Sequence, residues 1–339
     1  MRRALTLARR AWGRTAPNPM VGCVIVRNGE VVGEGYHKQA GLPHAEPTAL
    51  AAAGDKSKDA TLYVNLEPCS SQGRTPPCVE AIIRGGVRRV VIGCLDPFPG
   101  HEGRAVAALE SRGIKTAAGL LKEAAENLNE AFLCRARRGR PFVLLKMAMT
   151  LDGKIATAAG ESKWITGPKA RRKVQRMRQW SDAIMVGGET VQQDNPDLRV
   201  RSPARWPRQP LKLIWSARHD FSDVLRIWQD RKHPPSFLKP KTPDEWREAL
   251  EHLAQREISA LLIEGGGELA AACLRAGIVD KAAFFIAPKI LGGRHSRPVV
   301  AGPDPGSLAD ARNLNDMKTE RVGEDLLVTG YLSDVHRSY

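Results

Sequence analysis

The chain has 339 residues, 42% hydrophobic and 26% charged, proportions ordinary for a soluble globular protein of about two domains. No apolar run approaches the roughly 20 residues of a membrane helix, and six cysteines are too sparse for a disulfide framework. The formal charge of +15 is diffuse: residues 1–140 carry 21 basic and 13 acidic groups (+8) and the remainder 31 and 24 (+7), which suits phosphorylated small molecules and anionic cofactors as well as nucleic acid.

The N-terminal stretch MRRALTLARRAWGR lacks a long apolar core and a small-residue cleavage site, so no signal peptide is expected and the cytoplasm is the default location. VGCVIV, a turn at residues 27–30 and VVGEGY predict a β-hairpin. AEPTALAAAG predicts a short helix ended by Gly54, TLYVNL a strand, and PPCVEAIIRGG a helix framed by prolines and glycines. VRRVVIG, AVAALESRG and IKTAAG continue as strand, helix and strand, which implies a layered α/β domain. The arginine-rich stretch at 135–141 is the expected boundary, giving domains 1–138 and 139–339. Beyond it, FVLLKMAM, SDAIMVGG, LKLIW, ALLIEGGG, AAFFIAP and DLLVTGYL predict six strands. Helices are expected near 170–180, 244–256 and 269–276, forming a second α/β unit, and residues 201–245 read least clearly.

His44-Ala45-Glu46 opens the alanine-rich helix, and Pro47 fits its first turn, where backbone N–H groups have no partner. LEPCSSQGRTPPC puts Cys69 at a strand end and Cys78 at a helix start. One imidazole and two thiolates suit zinc and leave a fourth position for water, which a metal activates at neutral pH. Glu46, two residues from a ligand, is the candidate to take a proton from water and pass it to a leaving amine. The pattern matches H-x-E followed by P-C-x-x-C of zinc deaminases, except that nine residues separate the cysteines. Cys23 and His37 are the nearest candidates for a fourth ligand, without ligand spacing; Cys94, Cys134 and Cys273 read as core.

TAPNPMVGCVIV, HAE, LEPCSSQGRTPPC, LKMAMTLDGKIA, GESKWITG and IEGGGELA, in this order, resemble the RibD family of bifunctional riboflavin-biosynthesis enzymes over nearly the whole chain. The nine-residue cysteine spacing is that family's own. The resemblance implies a cytidine-deaminase-like α/β/α domain followed by a dihydrofolate-reductase-like α/β domain. It implies zinc-dependent deamination of 2,5-diamino-6-(5-phosphoribosylamino)pyrimidin-4-one. NADPH-dependent reduction of 5-amino-6-(5-phosphoribosylamino)uracil to its ribityl form follows. It matches His44, Cys69 and Cys78 to the Zn2+ ligands, Glu46 to the proton shuttle and Asn18 to the deaminase pocket. Ala148, Trp164, Thr190, Asp194, Ser216 and the turn and helix Gly266, Gly267, Glu268, Leu269, Ala270, Ala271 and Ala272 match cofactor contacts. Ser162, Arg178, Leu198, Arg201 and Glu264 match substrate contacts, with Asp152 and Lys154 beside them. A cytoplasmic homodimer acting on small phosphorylated pyrimidines, without nucleic acid or membrane, is the implied setting.

The residues are compatible with this. The turn after ALLIE would let backbone N–H groups reach a pyrophosphate at a helix start, and Arg178 and Arg201 could hold a phosphate bidentately. The turn also fits a loose Rossmann fingerprint, Gly265-x-Gly267-x-x-Ala270, but no strand ending in an acid follows about 20 residues on. Departures from the family pattern are Ser71 and Gln72 for two histidines, Phe98 within Asp96-Pro97-Phe98-Pro99 for asparagine, and Trp215 for aspartate. Two other readings compete: a tRNA-editing deaminase with a C-terminal accessory domain, motivated by charge, and a scaffold with one dead domain. No RNA-binding motif or aromatic platform supports the first; intact Glu46 and zinc ligands oppose the second for the N-terminal part.

Overall fold

The computed structural model describes residues 1–333 apart from 74, 75, 99 and 219. It contains two compact units, Met1–Gly139 and a second beginning at Arg140. The first holds α1 (Arg2–Ala8), β1 (Gly22–Arg27), β2 (Glu30–Tyr36), α2 (Ala45–Ala53), β3 (Thr61–Leu66), α3 (Cys78–Arg84), β4 (Arg89–Cys94), α4 (Arg104–Glu110), β5 (Lys115–Ala118), α5 (Lys122–Leu128) and α6 (Glu130–Arg138). Its sheet runs β2-β1-β3-β4-β5. The hairpin lies antiparallel to β3, and β3, β4 and β5 are parallel, as strands joined by crossover helices must be. α2, α3 and α4 form one neighbouring set, while α1 and α5 pack together against β1 and β4, a three-layer arrangement around an aliphatic core that includes Ile25, Leu62, Ile92 and Leu109.

Arg135, Arg137 and Arg138 are the last turn of α6, whose other face buries Phe132, Leu133 and Cys134, and the helix stops at Gly139 with φ +66°. Cations at a helix C-terminus complement its dipole, so the cluster closes the helix.

The second unit holds β6 (Phe142–Thr150), β7 (Lys154–Ala156), α7 (Pro168–Trp180), β8 (Ala183–Gly187), α8 (Gly188–Asp194), β9 (Leu211–Trp215), β10 (Ser236–Leu238), α9 (Pro243–Gln255), β11 (Ala260–Glu264), α10 (Gly267–Arg275), β12 (Lys281–Ala287), β13 (Arg297–Pro298), β14 (Asn315–Val322) and β15 (Asp325–Tyr331). Eight strands form a mixed sheet in the order β10-β9-β8-β11-β6-β12-β15-β14. The strands from β10 through β12 are parallel, and β15 and β14 close the far edge antiparallel.

Alternation along β6 sets the layers. Val143, Leu145 and Met147 join a core with Trp246 and Leu250 of α9 and Leu269 and Cys273 of α10. Phe142, on the opposite face, meets Trp180 of α7 edge-on at 5.8 Å. Lys146 shares that face by parity, as does its register partner Glu264 on β11. Among the described residues, no helix is long and apolar enough to cross a membrane.

Candidate active sites

In the first unit, β3 ends one residue before Glu67, which leads into Pro68 and Cys69; Cys78 is the first residue of α3, and His44 caps the start of α2. The His44 Nδ1 lies 3.2 Å from Cys78 Sγ and 3.5 Å from Cys69 Sγ, and all three candidate ligand atoms fall within 4.8 Å of one another. A tetrahedral zinc holds nitrogen at about 2.0 Å and sulfur at about 2.3 Å, which separates its N and S ligands by about 3.5 Å. The three residues therefore fit the ion. The Cys78 N–H, at the helix start, donates to Cys69 Sγ at 3.3 Å; hydrogen bonding with the Cys78 side chain first, and with His44, pulls the Cys69 thiol down to about 4, and the same pairing pushes the Cys78 thiol up.

Glu46 is 3% exposed, and its Oε2 is buried without a hydrogen-bond partner. Burial, reinforced by the Cys69 charge, pushes its carboxyl up to about 7. An acceptor left open beside three ligands is what a proton shuttle needs.

Asn18 also reaches this site. Its Nδ2 donates to His37 Nε2 at 3.1 Å, and the His37 ring meets the His44 ring edge-on at 5.0 Å. His37 Nδ1 donates to the Pro43 carbonyl at 3.2 Å, so both nitrogens are engaged and His37 is not a fourth ligand; burial lowers its pKa, in keeping with a neutral ring. Cys23 is fully buried in the core, as are Cys94, Cys134 and Cys273, and all six cysteines are free thiols.

Sequence reasoning missed the polar clamps behind these residues. Asn65 accepts the Gly22 N–H and donates to the Met20 carbonyl, while Asn129 takes the Met20 N–H and donates to the same carbonyl. Met20 lies two residues from Asn18, so the pair fixes the loop that carries Asn18. Glu67 accepts three backbone N–H groups, from Asp96, Gly103 and Ala105, tying the cysteine-bearing strand end to the 95–103 loop. The signal was a polar residue inside or just past the apolar strand TLYVNL. Phe98 packs edge-on against Phe132 at 5.4 Å; Pro99 and part of the segment between the cysteines fall outside the described residues. Ser71 and Gln72 lie in that segment, half-buried and exposed.

In the second unit, the carboxyl ends of β6, β8, β9 and β11 open into a cavity of about 690 Å³, the expected place for a ligand in a parallel sheet. Ala148, Ser162, Trp164, Arg178, Thr190, Asp194, Leu198, Arg201, Ser216, Glu264, Gly266, Gly267, Glu268 and Leu269 all line it. Ala270 and Ala271 do not: they are buried within α10, where Ala270 packs in the core, and Ala272 also lies off the cavity wall. Lys154, on β7, is likewise absent from the lining. Asp152 turns its carboxylate to the N–H groups of Leu291 and Gly292.

Trp164 is 63% exposed, with the Arg171 guanidinium 4.5 Å above its ring. Ser162 donates to Asp194 at 2.5 Å. Gly265 and Gly266 have φ of +75° and +85°, a left-handed turn open to residues without a side chain. A Cβ on Gly267 would fall 2.6 Å from the Pro298 carbonyl, so the start of α10 can approach its neighbours only as glycine.

Arg178 is not the free phosphate ligand that its residue type suggested. It is 8% exposed and grips Glu264 bidentately, Nε to Oε1 at 2.6 Å and Nη2 to Oε2 at 3.0 Å. Arg201, with 55% of its side chain exposed, retains an accessible guanidinium 3.9 Å from Asp197. Three cavity residues escaped sequence reasoning. Lys146 lies 3.9 Å from Glu264, and burial lowers its pKa; a lone charge inside FVLLKMAM was its signal. Asp197 gathers Arg178, Arg201 and Arg226 within 3.9 Å, and neither it nor Arg226 stands in any periodic pattern.

Two family profiles cover the chain: "Cytidine and deoxycytidylate deaminase zinc-binding region" matches residues 1–94, and "RibD C-terminal domain" matches residues 141–328. The Riboflavin biosynthesis protein RibD of Synechocystis is 42% identical over 98% of the chain and 95% of its own length. A solved structure of Acinetobacter baumannii RibD superposes with a TM-score of 0.90 at 35% identity, covering 97% of each chain. The structure of a diaminohydroxyphosphoribosylaminopyrimidine deaminase/5-amino-6-(5-phosphoribosylamino)uracil reductase from Thermotoga maritima gives a TM-score of 0.85 at 35% identity, with 98% and 97% covered.

Proposed function

Because this chain belongs to the RibD family, and is a zinc- and NADPH-dependent deaminase and reductase of riboflavin biosynthesis, we propose that the first unit deaminates and the second reduces, with the following division of labour. His44, Cys69 and Cys78 hold zinc, whose Lewis acidity makes water nucleophilic at neutral pH. Glu46 would accept a proton from the attacking water on Oε2 and pass it to the amine leaving the pyrimidine. Asn18, set by Met20 and by His37, faces the bound ring.

In the second unit NADPH supplies the reducing electrons, and the protein orients the partners. The Gly265–Gly267 turn would hold the cofactor's pyrophosphate through its N–H groups, Ala148 and Trp164 would line the cofactor's site, and Arg201 would bind the substrate phosphate. The Arg178–Glu264 pair holds the Lys146 ammonium toward the sugar, where it is placed to give a proton. The enzyme works on 2,5-diamino-6-(5-phosphoribosylamino)pyrimidin-4-one and then 5-amino-6-(5-phosphoribosylamino)uracil, as a cytoplasmic homodimer with no nucleic-acid partner; sedimentation equilibrium measures the assembly.

The observation that supports this best is the convergence of three ligand atoms within 4.8 Å beside a buried, unpartnered Glu46 oxygen. Ammonia release and NADPH consumption, followed separately, test it. Glu46→Gln is expected to keep one zinc per chain, to lose deamination by about 10²-fold or more and to reduce pre-deaminated substrate normally. Unimpaired ammonia release from that variant refutes the shuttle.

A further inference from the structure

Past Ser216, the cavity of the second unit continues along the carboxyl ends of β9 and β10. Trp215 ends β9 and lines the cavity. Its indole N–H donates to the Pro240 carbonyl at 3.3 Å, which fixes the ring by its edge. Lys239, one residue past β10, also lines the cavity, with its ammonium 5.7 Å from the centre of that ring. Lys239 is exposed, and among the described residues no carboxylate pairs with it. The neighbouring cation Arg218 is already committed, in two 3.1 Å contacts with Asp220. One unpaired ammonium over one fixed aromatic ring is thus left facing the cavity.

The strand order gives this corner its meaning. β9 stands two places from β11, which carries the Gly265–Gly267 turn, with Gly187 and Gly188 at the end of β8 between them. Strands are spaced about 4.8 Å apart, so the two ends are separated by about 10 Å, the span of one nucleoside. Gly188 lies low in that floor: a Cβ there would come within 2.8 Å of Ser216 Oγ.

We propose that Trp215 and Lys239 form the recognition corner for the adenosine half of the cofactor, the ring stacking on the adenine and the ammonium pairing with the 2′-phosphate. The assignment rests on the reading of the second unit as the NADPH-dependent reductase. A compact ammonium suits a phosphate, which carries most of two negative charges at neutral pH. An aromatic face accepts any flat base. A dinucleotide lacking the phosphate loses the ionic contact and keeps the stacking, so Lys239 governs the choice between the two dinucleotides.

Equilibrium binding by the full-length protein tests this, by calorimetry with NADPH, NADH, 2′,5′-ADP and 5′-AMP. Lys239→Ala is expected to weaken NADPH and 2′,5′-ADP about tenfold, the loss of one charge-assisted contact, and to leave NADH and 5′-AMP within about twofold. Lys239→Arg restores the phosphate-bearing pair. Trp215→Ala weakens all four, and Trp215→Phe, which retains a ring, recovers part of each. Parallel loss of NADPH and NADH in Lys239→Ala, or no loss of NADPH, overturns the assignment. If the unaltered protein binds neither NADPH nor 2′,5′-ADP, the reductase reading falls with it.

Discussion

Arg178 commits both edges of its guanidinium inside the second unit, to Glu264 and to the Arg199 carbonyl. Removing one partner of such a buried pair strands the other charge, at about 3–5 kcal/mol. Arg178→Met is therefore expected to lower the unfolding midpoint of the second unit sharply in calorimetry, and to abolish reduction. The pH dependence follows from Glu264. Burial alone would raise its carboxyl, but the Arg178 and Lys146 charges hold it below the usual range. A carboxyl depressed in the folded state contributes stability that is complete above its unfolded pKa, about 4.3, and is lost as pH falls through the lower folded value. With Arg178 gone, burial prevails and lifts the Glu264 carboxyl above its unfolded value, so the variant, destabilised at neutral pH, regains part of that stability as pH falls through the raised value. A variant that keeps the unaltered protein's loss of stability in acid means that Glu264 draws its stabilisation elsewhere.

At the scale of elements, the placement of His44, a proposed zinc ligand, depends on how closely α2 lies on β2. Cβ atoms built on Gly33 and Gly35 fall 2.3 Å from the Ala49 carbonyl and 2.4 Å from the Ala45 carbonyl. Gly35→Ala forces the start of α2 outward, at about 1–3 kcal/mol for overpacking, and carries His44 with it. Weaker zinc binding, read by competition with a chromophoric chelator, is the expected result; zinc affinity equal to that of the unaltered protein shows that the helix yields without moving its first residue. Legibility followed periodicity. β3 stands where TLYVNL placed it, and α2, α3, α7, α9 and α10 fall within a few residues of their turn signals. β14 was invisible because seven of its eight residues are exposed and no alternation marks it. β10 has three residues, and GETVQQD of α8 carries no apolar stripe. The convergence of His44, Cys69 and Cys78 was legible because the three stand in two short motifs. The Asp197 hub was not, because its arginines come from three separate segments that only the fold brings together.

Across the whole molecule, the two units have their own sheets and separate apolar cores. Chelating the metal is expected to stop ammonia release while reduction of pre-deaminated substrate continues at its former rate; loss of both refutes independence of the two chemistries. The open eight-stranded sheet has a further consequence. Any open sheet has two rims whose free N–H and C=O groups invite foreign strands, the first step toward fibrils. Here one rim, β10, is three residues long, and the other, β14, is studded with Asp316, Lys318, Glu320 and Arg321. A chain docking on either gains few ladder bonds or must lay itself along alternating charge, so the enzyme can keep a large sheet unclosed and still resist self-templated precipitation at high concentration.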